Sequence, residues 1–135
     1  MKLEFLDTNI FLRHLLGDHS VQSPRATAYL LSVEQGEVKV RVSDTVIFET
    51  VFTLQRHYGY PKAAIRDNLL PLIDLHGVIL PAKMRLRSVF DLYVEQNLPF
   101  ADAYHAVLME SLKLSRIVSF DKEFDKIEGI ERIEP

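Results

Sequence analysis

Short apolar or β-branched runs alternate with longer segments of helical periodicity along the whole of this sequence, and few architectures accept that alternation. Residues 2–6 read as a strand, and Ile10 to Leu16 as a short helix stopped near Gly17. A second helix starts at Ser20 or Ser23 with Pro24 and carries Ala26, Tyr29, Leu30 and Val33 at helical spacing as far as Gly36. VKVRV (38–42) is a β-branched strand. Ser43 then caps a helix of about four turns through Tyr58, with Gly59 as its stop and Pro61 opening the next helix. That helix runs to about Leu75, where His76-Gly77 ends it. VIL (78–80) is a strand closed by Pro81, and residues 82–96 and 101–115 are helical. RIVS (116–119) is a strand followed by a short helix from Asp121, and IERIE (130–134) is a final edge strand. The expected class is therefore α/β, with a central and mostly parallel sheet.

No repeat, low-complexity segment or flexible linker interrupts this pattern, so a single domain over residues 1–135 is expected. A chain of this length buries about 70% of its unfolded surface. Its 47% hydrophobic content supplies a core without a disulfide or metal staple. The absence of cysteine excludes thiolate metal sites and fits a reducing compartment. Glu4 and Asp7 break the first apolar run, so no secretory signal is expected, and no run reaches the ~18 residues of a membrane span. A soluble, cytoplasmic protein is the expectation. The net charge of −3 argues against indiscriminate nucleic-acid binding, but the charge is unevenly distributed. Residues 38–87 hold eight Lys/Arg against four acids, whereas residues 88–135 hold five against ten. A basic contact surface beside an acidic site is compatible with that asymmetry, as are ordinary solvated helix faces.

Four acids stand out. In an open parallel sheet, functional groups gather just beyond the carboxyl ends of strands, where helices begin. Asp7 follows the first strand, Asp121 follows RIVSF, and Asp102 lies at the start of the helix after Pro99. Each also fits a helix N-cap or first-turn acid, worth about 1 kcal/mol or less. Glu49 is different, being the only charged residue in VIFETVFTL (46–54), with no Lys or Arg three or four residues away. An exposed turn would leave it in water. Buried, it would need a partner, and a divalent cation is an adequate one. Carboxylates brought together require a shared proton or a metal ion at neutral pH. Hard oxygen donors, with no Cys and no paired His, favour Mg²⁺ or Mn²⁺ over zinc. Such an ion can activate water for attack on a phosphodiester.

FLDTNIFLRHL, SDTVIFETVFTLQRHYG, LPFADAYHAVLM and RIVSFDKEFDKI together resemble the PIN-domain ribonucleases, in particular the VapC-type toxin subunits of VapBC toxin–antitoxin systems. The resemblance extends over essentially the whole chain, with the motifs in the family's order. It implies a three-layer α/β/α fold and a Mg²⁺- or Mn²⁺-dependent endoribonuclease, in which metal-activated water hydrolyses RNA without a covalent enzyme intermediate and leaves 5′-phosphate and 3′-hydroxyl ends. The family's catalytic and metal-binding acids fall on Asp7, Glu49, Asp102 and Asp121, and Asp125 occupies the position of a fifth acid that only some members use. Thr8, Asn9 and Ser119 match the small polar residues that support such a site. The partners implied are an RNA substrate, a cognate antitoxin and a second copy in a homodimer.

Candidates for contact with substrate are Arg13, at a position commonly basic in the family, and Lys83 and Arg87, one turn apart in KMRLR. A surface ion pair for Arg13 and a solvated helix face for the other two are the competing readings. His105, one turn after Asp102, reads as a structural histidine, and the other four histidines have no ligand spacing. Phe48, Phe52, Phe90 and Phe100 read as core or interface residues. The alternative function is a PIN-like RNA- or antitoxin-binding module with little or no turnover. An aspartyl-phosphate phosphatase needs a second aspartate two residues after its nucleophile, where this chain has Asn9.

Overall fold

A computed structural model describes residues 3–135; Lys2, the first residue of the expected first strand, lies outside the described residues. The chain forms two compact units, Met1–Met84 and Arg85–Pro135. The elements of the first unit are β1 (Leu3–Phe5), α1 (Thr8–Leu16), α2 (Gln22–Glu34), β2 (Lys39–Arg41), α3 (Asp44–Phe52), α4 (Lys62–Ile73) and β3 (Val78–Ile79). The second contains α5 (Leu86–Glu95), α6 (Phe100–Ser111), β4 (Arg116–Val118) and β5 (Glu131–Ile133). Helices and parallel strands thus make up an α/β protein, as expected.

In the first unit the strands lie in the order β1-β2-β3, all parallel, with Leu3 opposite Lys39 and Val40 opposite Val78. Val40 on the central strand and Val78 on the third are buried, together with Phe11, Ile47, Ile65 and Leu69 of the helices. The helix stops are those the glycines announce. Gly17 adopts a left-handed conformation (φ 62°), and its N–H donates to the Arg13 carbonyl at 3.1 Å. Ser43 caps α3 through its hydroxyl, which accepts from Val46 N–H at 3.2 Å. Beyond Phe52 the helix widens into a π-helical turn over Thr53–His57 before Gly59.

Two local features depart from expectation. The start of α2 is organised by His19, whose Nδ1 accepts from Gln22 N–H at 2.9 Å while the Ser23 hydroxyl accepts from His19 N–H at 3.1 Å. The expected helix at 82–96 is regular only from Leu86, because Ala82 is left-handed (φ 60°) and Lys83–Arg85 form a tighter 3₁₀ turn. Lys83 is the cause. Its ammonium donates to the carbonyls of Ile73 (3.2 Å), Leu75 (2.8 Å) and Val78 (2.8 Å), which closes the turn between α4 and β3. The same turn needs Gly77, since a Cβ there would lie 2.9 Å from Val33 Cγ1 and 3.0 Å from the Val33 and Val38 carbonyl oxygens.

In the second unit, α5 packs on α6 through three buried rings. Phe90 and Phe100 stand 5.0 Å apart, and Tyr93 meets Phe100 edge-on at 5.3 Å. β4 pairs with β5 in parallel, with Ile117 opposite Arg132. Phe100 is the first residue of α6, so the aromatic cluster fixes where that helix begins, two residues before Asp102. Replacing Phe100 by Ala should cost about 3–5 kcal/mol, read as a lower urea midpoint at unchanged slope; a loss under about 1 kcal/mol would refute this anchoring role.

Candidate functional site

At the carboxyl end of β1 the chain turns at Asp7 directly into α1. The Asp7 backbone has the extended conformation of an N-cap (φ −90°, ψ 160°), and its carbonyl accepts from Ile10 N–H at 3.2 Å. Its side chain, however, makes no capping hydrogen bond. A capping aspartate is stabilising because its carboxylate accepts an orphan N–H of the first turn. That explanation does not apply to the Asp7 carboxylate, which stays exposed. Thr8 beside it is buried, with a hydroxyl that makes no hydrogen bond, and Asn9 is exposed.

Glu49, on α3 of the same unit, is exposed, so the cost of burial considered from the sequence does not arise. Its apolar neighbours in the sequence, Ile47 and Val51, are buried on the other side of the helix, while Thr45 and Phe52 share the exposed side with it. The helix is amphipathic here, and Glu49 lies on its open face.

The second unit brings two of the predicted acids together. Asp102, in the first turn of α6, and Asp121, at the end of the segment leaving β4, interact through their carboxyls. Burial is the main reason the Asp102 carboxyl is raised from 3.8 to about 6, reinforced by its interaction with Asp121 and by the negative charges of Asp121 and Glu123. Its Oδ2 is buried and makes no hydrogen bond. Asp121 is positioned from both sides. Its N–H donates to the Ser119 hydroxyl at 2.9 Å, and its Oδ1 accepts from Glu123 N–H at 2.9 Å, so it caps the following 3₁₀ turn (Lys122–Lys126).

A buried carboxylate oxygen without a partner, next to a second carboxylate that repels it, is a donor set in search of positive charge. Both donors are hard oxygens, and a Mg²⁺ ion needs only one or two carboxylates, with water in its other positions. The pair Asp102 and Asp121 therefore fits a hard divalent cation. Neither unit gathers three or more His, Cys, Asp or Glu side chains into a metal-holding group among the described residues. Glu123 was not singled out from the sequence; its Asp-x-Glu spacing from Asp121 is the signal that could have found it.

The remaining candidates divide by their partners. Asp125 is held by Arg132, whose Nε and Nη2 donate to its two oxygens at 3.0 and 3.3 Å. Arg132 also donates to the Ser119 carbonyl at 3.2 Å and to Glu134 at 2.6 Å, so it braces the segment that carries Asp121. Lys83 is committed to three backbone carbonyls, which is neither the substrate contact nor the solvated face considered for it. Arg13 donates to Gln22 Oε1 at 2.8 Å and lies 3.9 Å from Asp18. Arg87 is exposed. His105 is exposed and stands 6.1 Å from the Tyr104 ring.

The family model described as PIN domain matches residues 5–130. No curated protein matches the chain.

The Asp102 shift fixes a sign. Below 3.8 the carboxyl is protonated both folded and unfolded; between there and about 6 only the folded state keeps the proton. Its contribution to stability is therefore present in acid and lost as pH rises through about 6. In EDTA, the wild type should lose stability relative to Asp102→Asn between about pH 4 and about pH 7 in urea titrations, and a parallel pH dependence of the two proteins would contradict the assignment.

Proposed function

The chain belongs to the PIN-domain family, whose members are nucleases and RNA-binding proteins, and on that premise we propose that it is a Mg²⁺- or Mn²⁺-dependent endoribonuclease. The observation that carries the reading is the Asp102–Asp121 pair, with its buried, unpartnered oxygen and raised carboxyl. Asp102 and Asp121 would hold the cation. Bound there, it supplies positive charge that lowers the pKa of water and neutralises charge on the phosphoryl oxygens. The chain's own residues keep the carboxylates in place. The Phe100 ring locks the start of α6 and with it Asp102. Ser119 and the Glu123 N–H orient Asp121, and Arg132 holds the Ser119 carbonyl. Asp125, neutralised by Arg132, supports the site from outside it.

Asp7 and Glu49 are the further acids of the proposed reaction. Both are exposed carboxylates on elements that begin at the carboxyl ends of neighbouring parallel strands, and Asp7 does not serve as a side-chain cap. Thr8 and Asn9 are proposed as support for Asp7. The reading takes residues 1–135 as one PIN domain; the family match from 5 to 130 crosses the boundary between the units. The sequence blocks around Asp7, Glu49, Asp102 and Asp121 support a VapC-type toxin acting in the cytoplasm, restrained by an antitoxin and working as a homodimer. No helix among the described residues is long and apolar enough to cross a membrane.

Purified protein incubated with total cellular RNA and Mg²⁺ or Mn²⁺ should yield discrete cuts with 5′-phosphate and 3′-hydroxyl ends, silenced by EDTA. Asp7→Asn, Glu49→Gln, Asp102→Asn and Asp121→Asn should each lower the rate by at least about 100-fold, more than loss of an outer-shell partner costs a metal site. A 2′,3′-cyclic phosphate would refute hydrolysis by water, because that end arises from attack by the RNA's own 2′-hydroxyl. Metal binding and RNA binding without cleavage would instead favour the binding-module alternative.

A further inference from the structure

Between α1 and α2 lies a cavity of about 330 Å³ that opens two residues beyond Asp7. Asn9 and Arg13, one helical turn apart, form its α1 wall, with Ile10 between them. Gln22, Arg25 and Tyr29 line it from α2, at the spacing of one helix face. Arg13 and Arg25 therefore both line one concave surface, and the carboxylate paired with Arg13 across 3.9 Å, Asp18, is itself half exposed. A pair that long and that solvated contributes little, and the Gln22 amide that accepts from Arg13 Nε at 2.8 Å is uncharged, so a phosphate is the stronger partner for this guanidinium. The planar guanidinium fork matches the oxygens of a phosphate.

The other end of the cavity has a different character. Tyr29 donates its hydroxyl to Glu4 Oε1 at 2.7 Å, which fixes the ring. Tyr29 and Ile10 continue into a second cavity of about 280 Å³, lined also by Glu4, Phe5 and Leu6. An aromatic ring with fixed orientation and an exposed Phe5 beside it suit a flat base, whereas the Glu4 carboxylate repels phosphate. The two ends thus give the groove a polarity, with phosphate toward Arg13 and Arg25 and a base toward Tyr29.

We propose that the α1–α2 cavity is a nucleotide subsite for single-stranded RNA, in which Arg13 and Arg25 hold a backbone phosphate and Tyr29 stacks on the adjoining base. It rests on the nuclease reading only in that the bound strand runs on past Asn9 toward Asp7. The subsite itself is a claim about binding and is tested without catalysis. The probe is a short fluorescein-labelled single-stranded oligoribonucleotide, titrated by anisotropy in EDTA at several salt concentrations. Each phosphate contact on single-stranded nucleic acid contributes about 0.7 to the slope of log K against log salt. Arg25→Gln should weaken binding several-fold and reduce the slope by about 0.7, with Arg25→Lys restoring the slope. Tyr29→Leu should weaken binding several-fold and leave the slope unchanged, and thermal melting of each variant reports whether it is folded. An unchanged slope in folded Arg25→Gln would overturn the proposal, as would competition by polyglutamate as effective as competition by RNA, which would assign the groove to an acidic protein segment. Binding with the expected slopes but no cleavage in Mg²⁺ would sink the nuclease reading and leave the subsite standing.

Discussion

Parallel pairing is the constraint on which the rest of this molecule depends. All the described strand pairs are parallel: β1 with β2, β2 with β3, and β4 with β5. A parallel strand cannot return by a tight hairpin, so the chain must leave each carboxyl end and cross back through a longer connection. In the first unit this places the turn at Asp7 and the turn at Ser43 at the same end of neighbouring strands, each opening a helix. In the second it places Ser119 and Asp121 just beyond β4, before the connection to β5. Helix openings and strand ends are where backbone groups lack partners, so small polar and acidic side chains collect there for structural reasons alone. Function has to be separated from that background.

Partnership separates them. Asp121 and Ser43 both cap, each accepting a backbone N–H, while Asp125 is held in an ion pair with Arg132. Asp7 stands at a cap position without capping, and Asp102 keeps one buried oxygen with no partner at all. A polar atom that is buried and unpartnered costs on the order of 1–3 kcal/mol. Nothing in the packing of α6 demands that cost, because the buried rings of Phe90, Tyr93 and Phe100 would anchor the helix with an Asn or Ser at position 102 as well. The unpartnered oxygen is the observation on which the proposed cation site rests.

Legibility in the sequence followed the range of the forces involved. Elements set by local chemistry were readable: Gly17 and Gly59 as stops, Ser43 as a cap, and the β-branched runs as strands. The four acids could be proposed as a set because four short motifs each centre on one, and of that set the structure pairs Asp102 with Asp121. What could not be read was which side chains the fold would commit elsewhere. Lys83 resembled a surface cation because its three carbonyl partners, on Ile73, Leu75 and Val78, come from the end of one helix, the loop after it and the next strand. The capping of α2 by His19 escaped for a related reason: imidazole rarely takes a role that serine and aspartate dominate, and Ser20 and Ser23 stood nearby. Glu49 was harder still. Its exposure depends on which face of α3 turns inward, and a run as apolar as VIFETVF leaves that choice to the residues packed against it.

The Arg132 network shows how a second structural layer can decide what an acid does. Asp121 and Asp125 are four residues apart on the same short segment, the first expected as a principal acid and the second as a fifth acid that only some family members use. β5 decides what the second one does. By pairing with β4 it brings Arg132 opposite Ile117 and within reach of Asp125 and the Ser119 carbonyl. One guanidinium thereby neutralises the more distant acid and stiffens the backbone beneath the nearer one. Among the described residues no arginine pairs with Asp121, and the raised Asp102 carboxyl beside it is the feature a cation would relieve.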